Sequence, residues 1–120
     1  MKTEEKTSVD AVAQVIFRPS AERRGYYRFH YGYLVPDGSF SEALELNFSE
    51  FLGTTGVSAE SVAAYFLESL SEPELEIFDF GYLSQECFDR FVRHFVGFCD
   101  AVQLYPGMLV LTFSKKENEG

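Results

Sequence analysis

Cys87 and His94 lie seven residues apart in this 120-residue sequence and are the cysteine and histidine that we consider for nucleophilic or metal chemistry. A thiol nucleophile requires a base within hydrogen-bonding distance, and a shared zinc ion requires both side chains at ~2.0–2.3 Å from the metal. The surrounding sequence predicts a helix, in which seven residues correspond to ~10.5 Å of rise. This separation is too large for either chemistry, so we interpret Cys87 as a partly buried thiol and His94 as a surface histidine.

Other residue types that bind metals or phosphates show no functional spacing. The two cysteines and two histidines are in no zinc-binding arrangement, and the carboxylates do not form a calcium-loop pattern. The glycines are scattered and form no phosphate-binding loop. We therefore expect no metal, no cofactor and no enzymatic activity.

A stretch from Phe29 to Asp89 contains no lysine or arginine. All ten cationic residues lie outside it, and the net charge of the chain is −9. Its carboxylates are Asp37, Glu42, Glu45, Glu50, Glu60, Glu68, Glu72, Glu74, Glu76, Asp79, Glu86 and Asp89. A cation-free surface of this kind carries a field like that of nucleic-acid phosphates and favours encounter with basic partners.

This charge pattern leads to our main hypothesis, a small acidic protein-binding or inhibitor protein. It would present a carboxylate-rich, nucleic-acid-like surface to a basic partner such as a nuclease, a toxin or a nucleic-acid-binding complex. The predicted partner-binding residues lie on a predicted hairpin and around the connection at 70–75: Asp37, Glu42, Glu45, Glu68, Glu72, Glu74, Glu76 and Asp79. The alternative interpretation is that these carboxylates only keep exposed faces hydrated.

A second hypothesis concerns a short basic and aromatic strip before the acidic stretch. Interleaved arginines and aromatic residues on a strand are used by proteins that stack RNA or single-stranded DNA bases. The residues of this strip that would contact nucleic acid are Arg23, Arg24, Tyr26, Arg28 and His30. The net charge of −9 opposes direct nucleic-acid binding by the chain as a whole.

A third hypothesis is an adaptor or homo-oligomeric scaffold that binds through an apolar surface. The sequence contains thirteen phenylalanines and seven tyrosines, and a stripe of phenylalanines follows one face of the second predicted helix. A large exposed aromatic surface is commonly covered by self-association. The mass of the protein in solution distinguishes this hypothesis from the acidic-surface one.

The elements that position these residues follow from periodicity and turn signals, and they predict an α+β domain. In chain order they are strands at Ala11–Phe17, Tyr26–Val35 and 39–48, a helix from Ser58 to Leu70, a strand at Leu75–Tyr82, a helix at Gln85–Gln103 and a strand at Met108–Phe113. Residues 39–52 also fit a helical stripe, but the Pro36-Asp37-Gly38 turn and the alternation after it favour a strand. Ser58 and Ser84 are the predicted N-caps.

This order, β-β-β-α-β-α-β, predicts a mainly antiparallel sheet with two helices on one face. The length suits one domain over 1–120, with residues 1–7 and 115–120 as frayed ends. The two cysteines are expected on different sides of one helix, which favours reduced thiols and a cytoplasmic location. No apolar run approaches the ~18 residues of a membrane span.

Overall fold

The computed structural model of the chain describes residues 12–55 and 59–113, with no description of the side chains of residues 59–61. It confirms the α+β prediction. Six strands form one antiparallel sheet in these residues, and they are β1 (Val12–Pro19), β2 (Tyr26–Leu34), β3 (Phe40–Glu42), β4 (Tyr82–Ser84), β5 (Ala101–Tyr105) and β6 (Met108–Phe113). Their order across the sheet is β3-β2-β1-β6-β5. The strands β3 and β4 pair with the same edge of β2, β3 at the end of β2 and β4 at its start.

Alternation along β1 and β6 separates the two faces of the sheet. Ala13, Val15 and Phe17 are buried on one face, and the residues between them point to the other. The pairing of Phe17 with Phe29 on β2 extends the buried face to the next strand. Because register fixes which side chains share a face, this pairing also places the arginines of β1 and β2 together on the opposite side.

In the described part of the chain, four helices cover the buried face: α1 (Phe48–Gly53), α2 (Ala59–Glu68), α3 (Glu72–Asp79) and α4 (Gln85–Phe95). The core between helices and sheet is built mainly from phenylalanine. Fully buried rings include Phe17, Phe51, Phe66, Phe91 and Phe95. Phe91 and Phe95 belong to the predicted stripe of the last helix, so the exposed part of that stripe is small.

Polar caps fix the starts of three helices. The Ser84 side chain accepts a hydrogen bond from the Cys87 amide, which confirms the predicted cap of α4. Asn47 and Ser71 cap α1 and α3 in capping boxes. The predicted cap at Ser58 lies outside the described residues.

The predicted strand at Leu75–Tyr82 is wrong, because these residues mostly form α3. The Ser71 cap, its capping-box partner Glu74 and a proline in the first turn start a helix before the apolar run begins. Phe78 is buried, and the strand that follows, β4, has only three residues.

The prediction for residues 39–48 is also wrong beyond Glu42, where β3 ends. Asn47 and Glu50 form a capping box that starts α1 at Phe48. The second half of this segment is therefore helical from Phe48, as the helical stripe noted for residues 39–52 indicated.

The predicted helix Gln85–Gln103 is too long. The helix α4 ends at Phe95, and β5 follows after a turn that contains Gly97. The Pro106-Gly107 pair lies between the partners Tyr105 and Met108, and Gly107 has a φ of 77°, which suits a two-residue hairpin turn. Over residues 12–55 and 59–113 the order is thus β-β-β-α-α-α-β-α-β-β, with four helices rather than the predicted two.

Candidate functional site

Three exposed carboxylates lie along one side of α3. Glu72, Glu76 and Asp79 are spaced by four and three residues, which places them on one face of the helix, and all three are exposed. Glu68, at the end of α2, is also exposed. The last turns of α2 and α3 contain no basic residue. We call Glu72, Glu76 and Asp79 the acidic face of α3.

Glu74 lies on the same helix, but its carboxylate makes hydrogen bonds to other residues of the protein. Its carboxylate accepts hydrogen bonds from the Ser71 amide at 2.8 Å, from Arg90 Nη2 at 3.3 Å and from Cys87 Sγ at 3.4 Å. The backbone hydrogen bond from Ser71 is the largest cause that lowers the pKa of Glu74. This residue stabilises the start of α3 and its packing on α4.

The predicted hairpin carboxylates are divided between separate environments. Asp37 accepts hydrogen bonds from the amide and hydroxyl of Ser39, and these bonds lower its pKa. Glu42 lies 2.8 Å from His30 Nδ1, and Glu45 is exposed in the loop before α1. All three carboxylates are exposed, and Asp37 and Glu42 each have a hydrogen-bonding partner within the described residues.

Glu42 and Asp79, from the two predicted groups, do line the same recess. This recess has a volume of about 430 Å³ and lies where β3 and β4 diverge along the edge of β2. Tyr31 lines it and donates a hydrogen bond to the Leu46 carbonyl at 2.7 Å. Burial raises the pKa of Tyr31, with further contributions from Asp79, Glu42 and Glu50, so the negative field of the acidic stretch extends to this tyrosine.

The basic strip forms a compact group on the face of the sheet opposite the helices. The guanidinium carbons of Arg23 and Arg28 lie 5.0 and 5.1 Å from the centre of the Tyr82 ring. Arg23 also lies 5.6 Å from the centre of the Tyr26 ring, and Arg18 is directly opposite Arg28 in the strand pairing. We call these five residues the Arg–Tyr cluster.

Two residues of the predicted nucleic-acid strip are not part of this cluster. Arg24 is exposed, and the His30 ring is within hydrogen-bonding distance of the Glu42 carboxylate. Arg18 and Tyr82 belong to the cluster but were missed from sequence. Strand register places them there: Arg18 and Tyr82 are the two cross-strand partners of Arg28, on opposite sides of β2.

The arginines of the cluster have no carboxylate partner among the described residues. Within residues 12–55 and 59–113, the ion pairs are His30 with Glu42 and Arg90 with Glu74. The cluster contacts an acid through Tyr82, whose hydroxyl donates a hydrogen bond to Glu22 at 3.2 Å, and Arg28 lines the same recess as Glu42 and Asp79. The cluster is therefore a site of positive charge in an acidic protein.

Cys87 and His94 have separate partners. The Cys87 thiol donates to Glu74, whereas His94 Nδ1 lies 2.9 Å from the Arg90 carbonyl oxygen. Burial raises the pKa of the Cys87 thiol, which opposes formation of a reactive thiolate at this position. No group of three or more histidine, cysteine or acidic residues in the described part of the chain could hold a metal ion.

Comparison of the chain with known protein families, curated proteins and solved structures finds no match. None of the described helices is long and apolar enough to cross a membrane. Three exposed features of the described residues are candidate interaction surfaces: the acidic face of α3, the Arg–Tyr cluster and the strand β5.

Proposed function

We propose that this protein is a small acidic protein-binding or inhibitor protein that presents the acidic face of α3 to a basic partner. Suitable partners are a nuclease, a toxin or another protein with a cationic nucleic-acid-binding surface. The observation that carries this proposal is the exposed row of Glu72, Glu76 and Asp79 on one side of one helix. The row is ~10.5 Å long, from the helical rise.

The helix dipole favours Glu72 in the first turn of α3 but disfavours Asp79 in its last turn. Like charges four residues apart on a helix also repel each other by about 0.2–0.5 kcal/mol, which applies to Glu72 and Glu76. Neither makes an ion pair with a cation among the described residues. A basic partner would remove this repulsion on binding and would be steered to the surface by long-range attraction.

The helix also holds the row in a fixed position. The capping box of Ser71 and Glu74 fixes its start, and Phe78 anchors it in the core against Phe29 at a ring-centre distance of 4.8 Å. Rigid presentation lowers the entropic cost of binding, because the contact groups are already ordered.

A capture experiment with paired variants tests the proposal. The full chain, Glu72→Gln/Glu76→Gln and the control Glu86→Gln/Asp89→Asn are used as baits in a cell lysate at about 50 mM and 500 mM salt. Both variants remove two exposed carboxylates, and Glu72 and Glu86 are both in the first turn of a helix.

We expect a basic protein to be retained at low salt by the full chain and the control, and to be lost from the α3 variant. Affinity of the purified partner should then show a flatter salt dependence for the α3 variant. Equal retention by both variants, or a partner that resists high salt, would overturn the assignment to α3.

A second candidate function, self-association, is favoured by β5. This strand is at the edge of the sheet, all five of its residues are exposed, and none of them is charged. Leu104 is 80% exposed, and Val102 and Tyr105 are also exposed. Edge strands without charges or prolines are prone to pair with another strand.

The mass in solution separates the two candidates. A dimer that becomes monomeric in Leu104→Lys, with unchanged folding, would support pairing through β5. A monomer at high protein concentration would exclude it and would leave the acidic face of α3 as the interaction surface.

A further inference from the structure

The Arg–Tyr cluster contains a repulsion that the described fold does not relieve. Arg18 and Arg28 are direct cross-strand partners, and like charges in this position destabilise a sheet. No carboxylate among the described residues forms an ion pair with either of them. An anion bound between the arginines would relieve this repulsion.

The Tyr82 ring holds two guanidinium groups of the cluster in place, and their N–H groups remain available to a ligand. Arg23 and Arg28 lie over the Tyr82 ring, and neither side chain donates a hydrogen bond within the described residues. Each guanidinium carries five N–H donors, which match the oxygens of a phosphate. Contact with the tyrosine ring orders the groups before any ligand arrives.

An exposed aromatic ring lies next to these donors. A recess of about 420 Å³ is lined by Arg23, Arg28, Ile77, Phe80 and Tyr82. Phe80 is 70% exposed, so core packing does not explain its side chain. It caps the C-terminus of α3, and Gly81, with a φ of 88°, turns the chain directly into β4.

We propose that this recess binds a nucleoside phosphate, with the phosphate on the Arg23 and Arg28 guanidinium groups and the base against Phe80. Arg18 adds positive charge beside the phosphate. A flat aromatic base is favoured because stacking on an exposed aromatic ring needs no further polar groups. The ligand is a free nucleotide or an unpaired nucleotide of a single strand, since the net charge of −9 opposes a long duplex.

The test uses the full chain and four probes: adenosine monophosphate, a hexa-adenosine RNA, inorganic phosphate and a phosphoserine peptide. Amide chemical shifts are followed during each titration at about 50 mM salt. We expect adenosine monophosphate to shift the amides of Phe80, Gly81 and Tyr82, and to bind more tightly than inorganic phosphate. Tighter binding of the RNA would identify a single strand as the source of the nucleotide, and equal or weaker binding would identify a free nucleotide.

Matched variants locate the site. Phe80→Ala and Arg28→Gln should each weaken nucleotide binding by about tenfold. Tyr65→Ala and Arg93→Gln remove an exposed ring and an exposed arginine from the helices, and they should leave the affinity unchanged. Retained shift dispersion in each variant shows that it is folded.

Four outcomes would overturn the proposal. Inorganic phosphate that binds as tightly as the nucleotide would indicate an adventitious ion only. Equal losses in the cluster variants and the controls would indicate general charge or stability effects. Tighter binding of a phosphoserine peptide would indicate a protein ligand, and the absence of any shift would exclude the site. The two proposed sites adjoin at Phe80, since Arg28 and Phe80 also line the recess that contains Glu42 and Asp79. The variants that test them change different residues, Glu72 and Glu76 for the acidic face and Phe80 and Arg28 for the recess, so either proposal can fail alone.

Discussion

One face of the sheet is covered by helices, and the other carries no described helix. On the covered face, Val15, Phe17 and Leu111 belong to a continuous phenylalanine-rich core. On the opposite face, Ile16 is partly buried and its cross-strand partner Val110 is buried, whereas Arg18 and Arg28 are exposed beside each other. The same strands therefore supply packing on one side and, at one end of the other side, positive charge without a carboxylate partner among the described residues.

On the covered face, packing explains which residue types are present. The exposed charged residues on the opposite face need another explanation. Removal of a buried ring creates a cavity whose cost follows from its volume. Exposed residues that are far from caps and strained backbone contribute little to stability. Substitutions that cost no stability but change binding should therefore be found on the open face and on the exposed side of α3.

The largest effect is expected for Phe91→Ala. The Phe91 side chain is 0% exposed, and its ring centre is 4.4 Å from that of Phe95 and 5.0 Å from that of Phe17. We expect the free energy of unfolding to fall by about 3–5 kcal/mol, measured by chemical denaturation. Phe80 caps α3 through its backbone N–H, which Phe80→Ala keeps, so the same chemical change at this exposed ring should cost less than about 0.5 kcal/mol. Similar losses in the two variants would contradict the division between covered and open faces.

A smaller loss is expected for Gly32→Ala, which lies on the open face opposite Glu42. A Cβ atom at this position would clash with the Ser41 carbonyl oxygen and would lie 2.7 Å from the Glu42 Cα, so β3 would have to move. Overpacking of this kind costs about 1–3 kcal/mol. Gly97→Ala, where a Cβ atom meets nothing within 4 Å, is the control and should be close to neutral. An unchanged unfolding midpoint in Gly32→Ala would show that β3 is loosely held.

The next prediction concerns pH and the Glu74 carboxylate. Its folded-state pKa is lowered from 4.5, so it contributes stability above that value, and the contribution is lost as the pH falls through the lower folded-state pKa. Glu74→Gln keeps a capping-box side chain but removes the charge. We expect the variant to lose about 1 kcal/mol or less near neutral pH, and to lose less stability than the parent chain on acidification below pH 4.5.

Arg90→Gln tests the cause of this effect. The hydrogen bond from the Ser71 amide is the largest cause of the lowered pKa of Glu74, and Arg90 is a smaller one. Most of the pH dependence should therefore remain in Arg90→Gln. Its complete loss would show that the ion pair, and not the helix cap, holds the carboxylate.

Local patterns were sufficient to predict some elements of the fold. The alternation of β1 and β2, the start of α4 at Ser84 and the strand β6 all follow from signals within a few residues. The strand prediction over α3 failed because an apolar and aromatic run was weighted above the capping box at Ser71 and Glu74. The strand β5 was missed because its valine continues the stripe of the preceding helix.

The residues of the candidate sites could likewise be predicted only where they lie close together in the sequence. Arg23, Tyr26 and Arg28 lie close in sequence, and their interleaved pattern indicated a basic, aromatic surface. Tyr82 joins them only through the pairing of β2 with β4, for which the sequence has no local signal. The hairpin carboxylates Asp37, Glu42 and Glu45 remain a predicted contact group, and the sequence did not indicate the hydrogen-bonding partners that Asp37 and Glu42 have in the fold.

The smallest effect, and a change in the opposite direction, is expected for Arg18→Gln. Removal of this charge relieves the cross-strand repulsion with Arg28, which should stabilise the protein by a few tenths of a kcal/mol at low salt. The gain should disappear at about 500 mM salt, because exposed charges are then screened. Arg93→Gln, on the exposed side of α4, is the charge-matched control and should show no such gain. A loss of stability in Arg18→Gln would mean that the arginine has a structural role. A gain combined with weaker nucleotide binding would instead indicate that Arg18 is retained for a ligand at a cost to the fold.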